Sequence, residues 1–264
     1  MQRTVTSSLN LEIAGRSDMI FSVAVAQTAS IVDEALTFTL DGRELAAETL
    51  IERNGTRLHR LVSDAGNMVV DYRAVVDGRA QPEAASELDE LLYLRPSRYC
   101  ESDILFPTAR AQFSGLSGHV LLDAVTSWVS GTLDYVSGSS RGTDGATRTL
   151  LERQGVCRDY AHLVIAMLRA LDVPARMAAV YAPGLSPMDF HAVAEAFIDG
   201  EWWLLDATRL APRQSMLRIA TGRDAADISF LSNHWANVNV NSMLVTATAD
   251  SLPVDDGTAR VQLL

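Results

Sequence analysis

Only two cysteines, Cys100 and Cys157, occur in 264 residues. They could form one disulfide at most. With no secretory leader in view, two free thiols in a reducing cytoplasm are the expectation. The start, Met1-Gln2-Arg3-Thr4-Val5, has no apolar run behind a basic head, so no signal peptide is visible. Nowhere do about 18 apolar residues stand together, so no membrane span is expected. Two Cys and five scattered His assemble no zinc-type ligand spacing, and neither a metal nor an organic cofactor is called for. Basic charge is also short: 22 Lys plus Arg stand against 33 Asp plus Glu, a net charge of −11. Such a surface repels a phosphate backbone, which argues against nucleic acid as a partner. Internal repeats and low-complexity tracts are missing. The Gly/Ser/Thr-rich stretch 137–147 lacks the Gly-Lys-Ser/Thr ending of a phosphate loop and reads as a plain loop.

What is present is an ordinary globular composition, 48% hydrophobic and 21% charged, long enough for one large domain or two smaller ones. The first 75 or so residues read as short strands between turns. Leu9-Asn10-Leu11-Glu12-Ile13 alternates, as does Ala35-Leu36-Thr37-Phe38-Thr39-Leu40, which ends at the turn pair Asp41-Gly42. Asn54-Gly55 is a second turn, and Gly66-Asn67 introduces another apolar run from Met68 to Val76. This spacing predicts a β-sandwich over residues 1–80. The polar, acidic stretch around Pro82 predicts a linker over 81–97. A catalytic part would then occupy 98–264. Within it, apolar residues at helical intervals predict a helix over 119–136 and a second helical region from Thr149. From Arg176 the pattern is one of strands to the end.

One segment carries chemistry: Gln154-Gly155-Val156-Cys157-Arg158-Asp159-Tyr160-Ala161-His162. A glycine ends one element, and two residues later Cys157 opens a helical pattern (Ala161, Ile165, Leu168, Leu171) that Pro174 must stop. A cysteine at a helix N-terminus meets free N–H groups and the positive end of the dipole. Both favour a thiolate, and the same N–H groups could hold an oxyanion. An arbitrary cysteine is more often buried and inert, so position alone decides nothing.

The second piece is a pair of strands around Asp199-Gly200, a two-residue hairpin signal. If those residues form the turn, Ile198 pairs with Glu201 and Val193 falls opposite Asp206. His191 and Asp206 then share one face as diagonal neighbours, roughly 7–8 Å apart at the backbone. A one-residue slip would separate them to opposite faces. The expectation is an imidazole oriented by a carboxylate, which with Cys157 makes a thiol triad: Cys157, His191 and Asp206. Arg158 and Asp159 are open between support and solvation. His162, five residues past Cys157, reads as structural. Of Trp202 and Trp203, which alternate faces, one is expected in the core and the other against the cleft. Cys100, His119 and His234 have no evident partner, and Gly222–Asp227 has no assigned role.

The run Gly155 to His162, followed by Leu168-Arg169-Ala170-Leu171-Asp172-Val173-Pro174-Ala175-Arg176, resembles the catalytic helix of bacterial transglutaminase-like proteins. Phe190-His191-Ala192 and Trp202-Trp203-Leu204-Leu205-Asp206-Ala207-Thr208 resemble its His and Asp strands, and Gly222 to Asp227 its bacterial members. The likeness covers most of the chain and is most specific over 150–230. It implies an α+β protein with a papain-like, transglutaminase-like core, in which a Cys-bearing helix packs on an antiparallel sheet, preceded by an N-terminal β-sandwich. The implied chemistry is acyl transfer through a Cys157 thioester, with hydrolysis of a peptide or amide in a peptide or protein substrate as the leading reading. Transamidation, in which an amine replaces water, uses the same residues. An inactive fold serving binding or assembly is the reading from another class.

Overall fold

Alternation in the first 77 residues produces seven strands in the computed structural model, which describes residues 1–81 and 86–264. These are β1 (Gln2–Ile13), β2 (Ser17–Phe21), β3 (Ile31–Leu40), β4 (Arg43–Leu45), β5 (Glu48–Ile51), β6 (Arg57–Ser63) and β7 (Gly66–Asp77). In β1 every second residue from Arg3 to Ser7, then Leu9, Leu11 and Ile13, is buried. One face of a half-buried strand looks like this. The turn at Asp41-Gly42 has both residues at positive φ, 47° and 81°, the backbone that a tight hairpin requires.

Beyond residue 86 come α1 (Glu87–Leu94), α2 (Ser102–Phe113), α3 (Gly118–Thr132), β8 (Asp134–Tyr135), α4 (Ala146–Glu152), β9 (Gln154–Gly155) and α5 (Cys157–Arg169). They are followed by β10 (Ala175–Tyr181), β11 (Phe190–Ile198), β12 (Glu201–Leu205), β13 (Leu217–Gly222), β14 (Leu231–His234) and β15 (Val238–Ala249). Two sheets, ordered β15-β1-β7-β3-β4 and β14-β2-β6-β5, form the sandwich, and Phe21 meets Phe38 across them at 5.3 Å between ring centroids. A third antiparallel sheet, ordered β12-β11-β10-β13, carries α5 against β10 and β11.

The α5 helix is buried on all sides from Asp159 to Arg169, so it is the core of the second half rather than a cover for it. Small residues opposite it in β11, Ala194 and Ala196, allow close approach to the sheet. The helix stops as expected. Asp172 takes φ 61°, and Val173 N–H donates to Leu168 O at 3.0 Å, a left-handed closure ahead of Pro174.

The molecule is α+β, with a Cys-bearing helix packed on an antiparallel sheet and an N-terminal β-sandwich. Three local expectations need correction. The helix expected over 119–136 ends at Thr132, because the chain extends into β8 to pair in parallel with β9. The stretch assigned as linker, 81–97, contains α1, whose Tyr93 is buried, while residues 82–85 lie outside the described part. Of residues 98–264, β14 and β15 pair with β2 and β1, so the end of the strand-rich region returns to the sandwich sheets. After β15 no regular strand follows. Val261 and Leu263 are buried instead against the third sheet, with Leu204 N–H donating to Val261 O at 2.8 Å.

Candidate active site

Glycine 155 and Asp159 explain each other. A Cβ on Gly155 would lie 2.7 Å from Asp159 Cβ, so only glycine admits the carboxylate there. Asp159, third residue of α5, accepts the Val156 N–H at 2.9 Å and so caps the helix from within its first turn. The first residue, Cys157, is left half-buried with its own N–H uncommitted to the helix. Arg158 donates to Ser140 Oγ and to Arg141 O at 2.6 Å, and its Nε stands 3.6 Å from Asp159 Oδ1. Both residues left open by the sequence are therefore supports: one shapes the helix start, the other pins the loop 137–145 beside it.

The hairpin register is the expected one. Ile198 pairs with Glu201 and Ala194 with Leu205, while Asp199 and Gly200 sit at φ 56° and 83°. Continued by one step, this sets Asp206 opposite Val193 and diagonal to His191: His191 Nε2 and Asp206 Oδ2 are 2.9 Å apart, with both side chains almost fully buried. The other oxygen, Oδ1, accepts the Thr208 N–H at 2.9 Å and the Thr208 hydroxyl at 2.7 Å. Asp206 holds Nε2, which leaves Nδ1 for the Cys157 thiol, whose charge acts on the ring.

Burial by itself would favour a neutral imidazole. The Asp206 charge and hydrogen bond, with a smaller part from Cys157, outweigh it and push His191 up to about 10. Burial would likewise protonate Asp206, but His191 and Thr208 hold its carboxyl below the usual range. The two directions agree: the pair is imidazolium and carboxylate at neutral pH.

Tyr135 was not singled out by sequence. The parallel pairing of Tyr135 with Gly155, with Val136 N–H donating to Gly155 O at 3.0 Å, sets it beside the helix start. Its hydroxyl faces the Cys157 backbone N–H. Burial first, then the charges of Cys157, Asp189 and Asp206, raises it to about 12, so it keeps its proton. The residue is 45% exposed. No local pattern announces this position, since the contact depends on pairing across 20 residues.

The remaining candidates divide cleanly. His162 is fully buried, accepts the Ala225 N–H on Nε2 at 3.1 Å, and stacks on Tyr99 at 5.2 Å. Burial pushes it down to about 3, so it is a neutral structural acceptor. That bond, and Asp224 accepting from Tyr99 N–H at 2.9 Å, give Gly222–Asp227 its place as a brace behind α5. Trp202 is buried under the Arg176 guanidinium, 4.0 Å from its ring centre. Trp203 donates to Ile198 O and meets His119 edge-on at 5.1 Å. Its contacts are at the turn end of the hairpin, so the expectation that it lines the cleft is corrected. Cys100 is buried, free, and pushed up to about 12 by that burial.

A thiol at a helix start, facing an imidazole held by a buried carboxylate on a hairpin, defines a class of protein. The chain belongs to the transglutaminase-like superfamily, whose core model matches residues 120–207. Over 97% of its length it matches the solved structure of a Cytophaga hutchinsonii protein named as a candidate cysteine protease, at 33% identity and a TM-score of 0.86, covering 92% of that chain. It is also 28% identical over 126 residues to an uncharacterised protein of Mycobacterium leprae, and 32% identical over 136 residues to one of Mycobacterium tuberculosis. These matches cover 43% and 46% of this chain and 43% of each relative. The chain thus spans less than half the length of those curated relatives. The fold is that of thiol enzymes, and among the described residues no helix is long and apolar enough to cross a membrane.

Proposed function

We propose that the protein is a thiol acyl-transfer enzyme that hydrolyses a peptide or amide bond, with Cys157 as nucleophile, His191 as acid and base, and Asp206 as the residue that orients His191. The observation that carries this reading is the buried His191–Asp206 pair, 2.9 Å apart, with the charge of Cys157 acting on the same ring.

In the proposed reaction the Cys157 thiolate attacks the carbonyl carbon, forming a C–S bond and an oxyanion. The Cys157 N–H and the Tyr135 hydroxyl donate to that oxyanion. His191 delivers its proton to the leaving amine as the C–N bond breaks. It then takes a proton from water, which attacks the thioester carbonyl; the C–S bond breaks, the carboxylic acid leaves, and the Cys157 thiolate is regenerated beside the imidazolium. Water is favoured over an amine by the openness of the cleft: Cys157 is half-buried and Tyr135 is 45% exposed.

The test is a set of short peptide amides and esters incubated with the protein and quenched in acid, with intact-mass detection of an acyl adduct on Cys157. Turnover with an adduct in wild type and neither in Cys157→Ala supports the reading. Equal turnover in Cys157→Ala contradicts it. A parallel reaction containing a simple primary amine separates the acid product from the amide, and a dominant amide product would replace hydrolysis by transamidation.

A further inference from the structure

All but one of the edges of the three large sheets are short, charged or covered. β4 and β5 are three and four residues long and open with Arg43 and Glu48, and β14 is four residues long. The part of β3 left open beyond β4 carries Asp33 and Glu34. The outer side of β12 takes the segment around Val261, with Leu204 N–H donating to Val261 O at 2.8 Å. That of β13 is met by Ala26 N–H, which donates to Arg218 O at 2.8 Å. Edges managed in these ways do not pair with other chains. The exception is β15. It runs twelve residues, Val238–Ala249, and its one strand neighbour among the described residues is β1. No charged residue and no proline occurs in it, although 21% of the chain is charged. Its inward side chains are also left bare. Val240 and Met243 stand opposite Leu11 and Leu9 of β1, which are buried, yet are themselves 42% and 38% exposed. The sheet ends one strand short of covering its own core.

We propose that β15 is the pairing edge of a homodimer, in which two copies join their sandwich sheets antiparallel about a two-fold axis between Asn241 and Ser242. The irregularity in β15 makes this register self-complementary. Ser242 pairs with Asn10 and Val240 with Leu11, so Asn241 is an extra residue, a β-bulge. The inward set is therefore Val238, Val240, Met243 and Val245, opposite Ile13, Leu11, Leu9 and Ser7. About that axis Val240 of one copy meets Met243 of the other, and Val238 meets Val245, so inward residues face inward residues. On the outer face Asn239 meets Leu244. The occupant this edge selects is a second copy. An isologous pair sets residues at the axis beside their own twins, and a strand without charge meets no like charge there. The net charge of −11 on each chain is thus kept out of the contact.

Sedimentation equilibrium of the full chain tests this, with wild type, Ser242→Lys, Ser242→Glu, the two variants mixed, and Leu50→Lys on the β5 edge. Ser242 and Leu50 are both exposed. A charge at Ser242 meets its twin across the axis of a homodimer and its opposite in the mixture. The expected result is a wild-type dimer whose dissociation constant rises at least about tenfold in each Ser242 variant. The mixture should recover the association, and Leu50→Lys should leave it unchanged. A wild type that stays monomeric up to about 1 mM overturns the proposal. So does a mixture that associates no more tightly than its parts, or an equal weakening by Leu50→Lys. Amide hydrogen exchange needs no variant. Protection over residues 238–245 of the wild type should increase with protein concentration, and protection independent of concentration also overturns the pairing.

Discussion

Gly155 and Asp159 are in such close contact that a single added methyl group would lie 2.7 Å from Asp159 Cβ. The contact holds the cap that starts α5 at Cys157. Gly155→Ala should therefore displace Asp159, cost about 1–3 kcal/mol of stability by overpacking, and slow thiol modification at Cys157. Urea unfolding with a parallel labelling assay measures both. Unaltered stability and labelling would mean that the cap does not position the thiol.

Asp206 acts through His191, which it holds at Nε2. Replacement by Asn keeps the shape and removes the charge that favours the imidazolium. Turnover should fall on the order of a thousandfold, while KM for the same substrate changes little. A loss confined to KM would place Asp206 in binding instead.

The same pair ties stability to pH. His191 is raised from 6.5 to about 10 in the folded protein, so its contribution is fully present below 6.5 and is lost as pH rises through about 10. Asp206 is lowered from 3.8, so its contribution is present above 3.8 and is lost as pH falls through its lower folded value. The stability gap between wild type and Asp206→Asn should thus be level from about pH 4 to 6.5 and narrow by pH 9. Unfolding midpoints at pH 6 and pH 9 measure it. A gap that widens with pH would contradict the charge assignment.

Glu195, four residues along β11 from His191, is buried between Arg176 and Arg218, with contacts of 2.9 Å and 2.7 Å. The two guanidiniums overcome its burial and hold it at about 2. Glu195→Ala leaves both arginines without their carboxylate and should cost about 3–5 kcal/mol. Thermal unfolding is the check, and a loss below about 1 kcal/mol would show that the network is not holding the strand.

The His191–Asp206 contact and the place of Cys157 at the start of α5 were legible because each is local. A glycine, a cysteine and a proline bound one helix, and a two-residue Asp-Gly turn fixes which residues share a face. The position of Tyr135 was not legible, since it depends on β8 meeting β9 in parallel after α3 ends early. Nor was the return of β15 to β1, a pairing between opposite ends of the chain that no periodicity signals. Trp203 shows the limit of alternation: it separates two faces of a strand, but not which end of the hairpin the cleft occupies.

The most direct test of the central claim is iodoacetamide modification of Cys157 at pH 6, followed by peptide mapping, in wild type and His191→Ala. Cys100 serves as the buried internal reference. Fast modification at Cys157 that drops at least tenfold in His191→Ala is the result expected of a thiol activated by that imidazole. Equal rates in the two proteins would contradict it, and would leave Cys157 an accessible cysteine on a fold used for something other than acyl transfer.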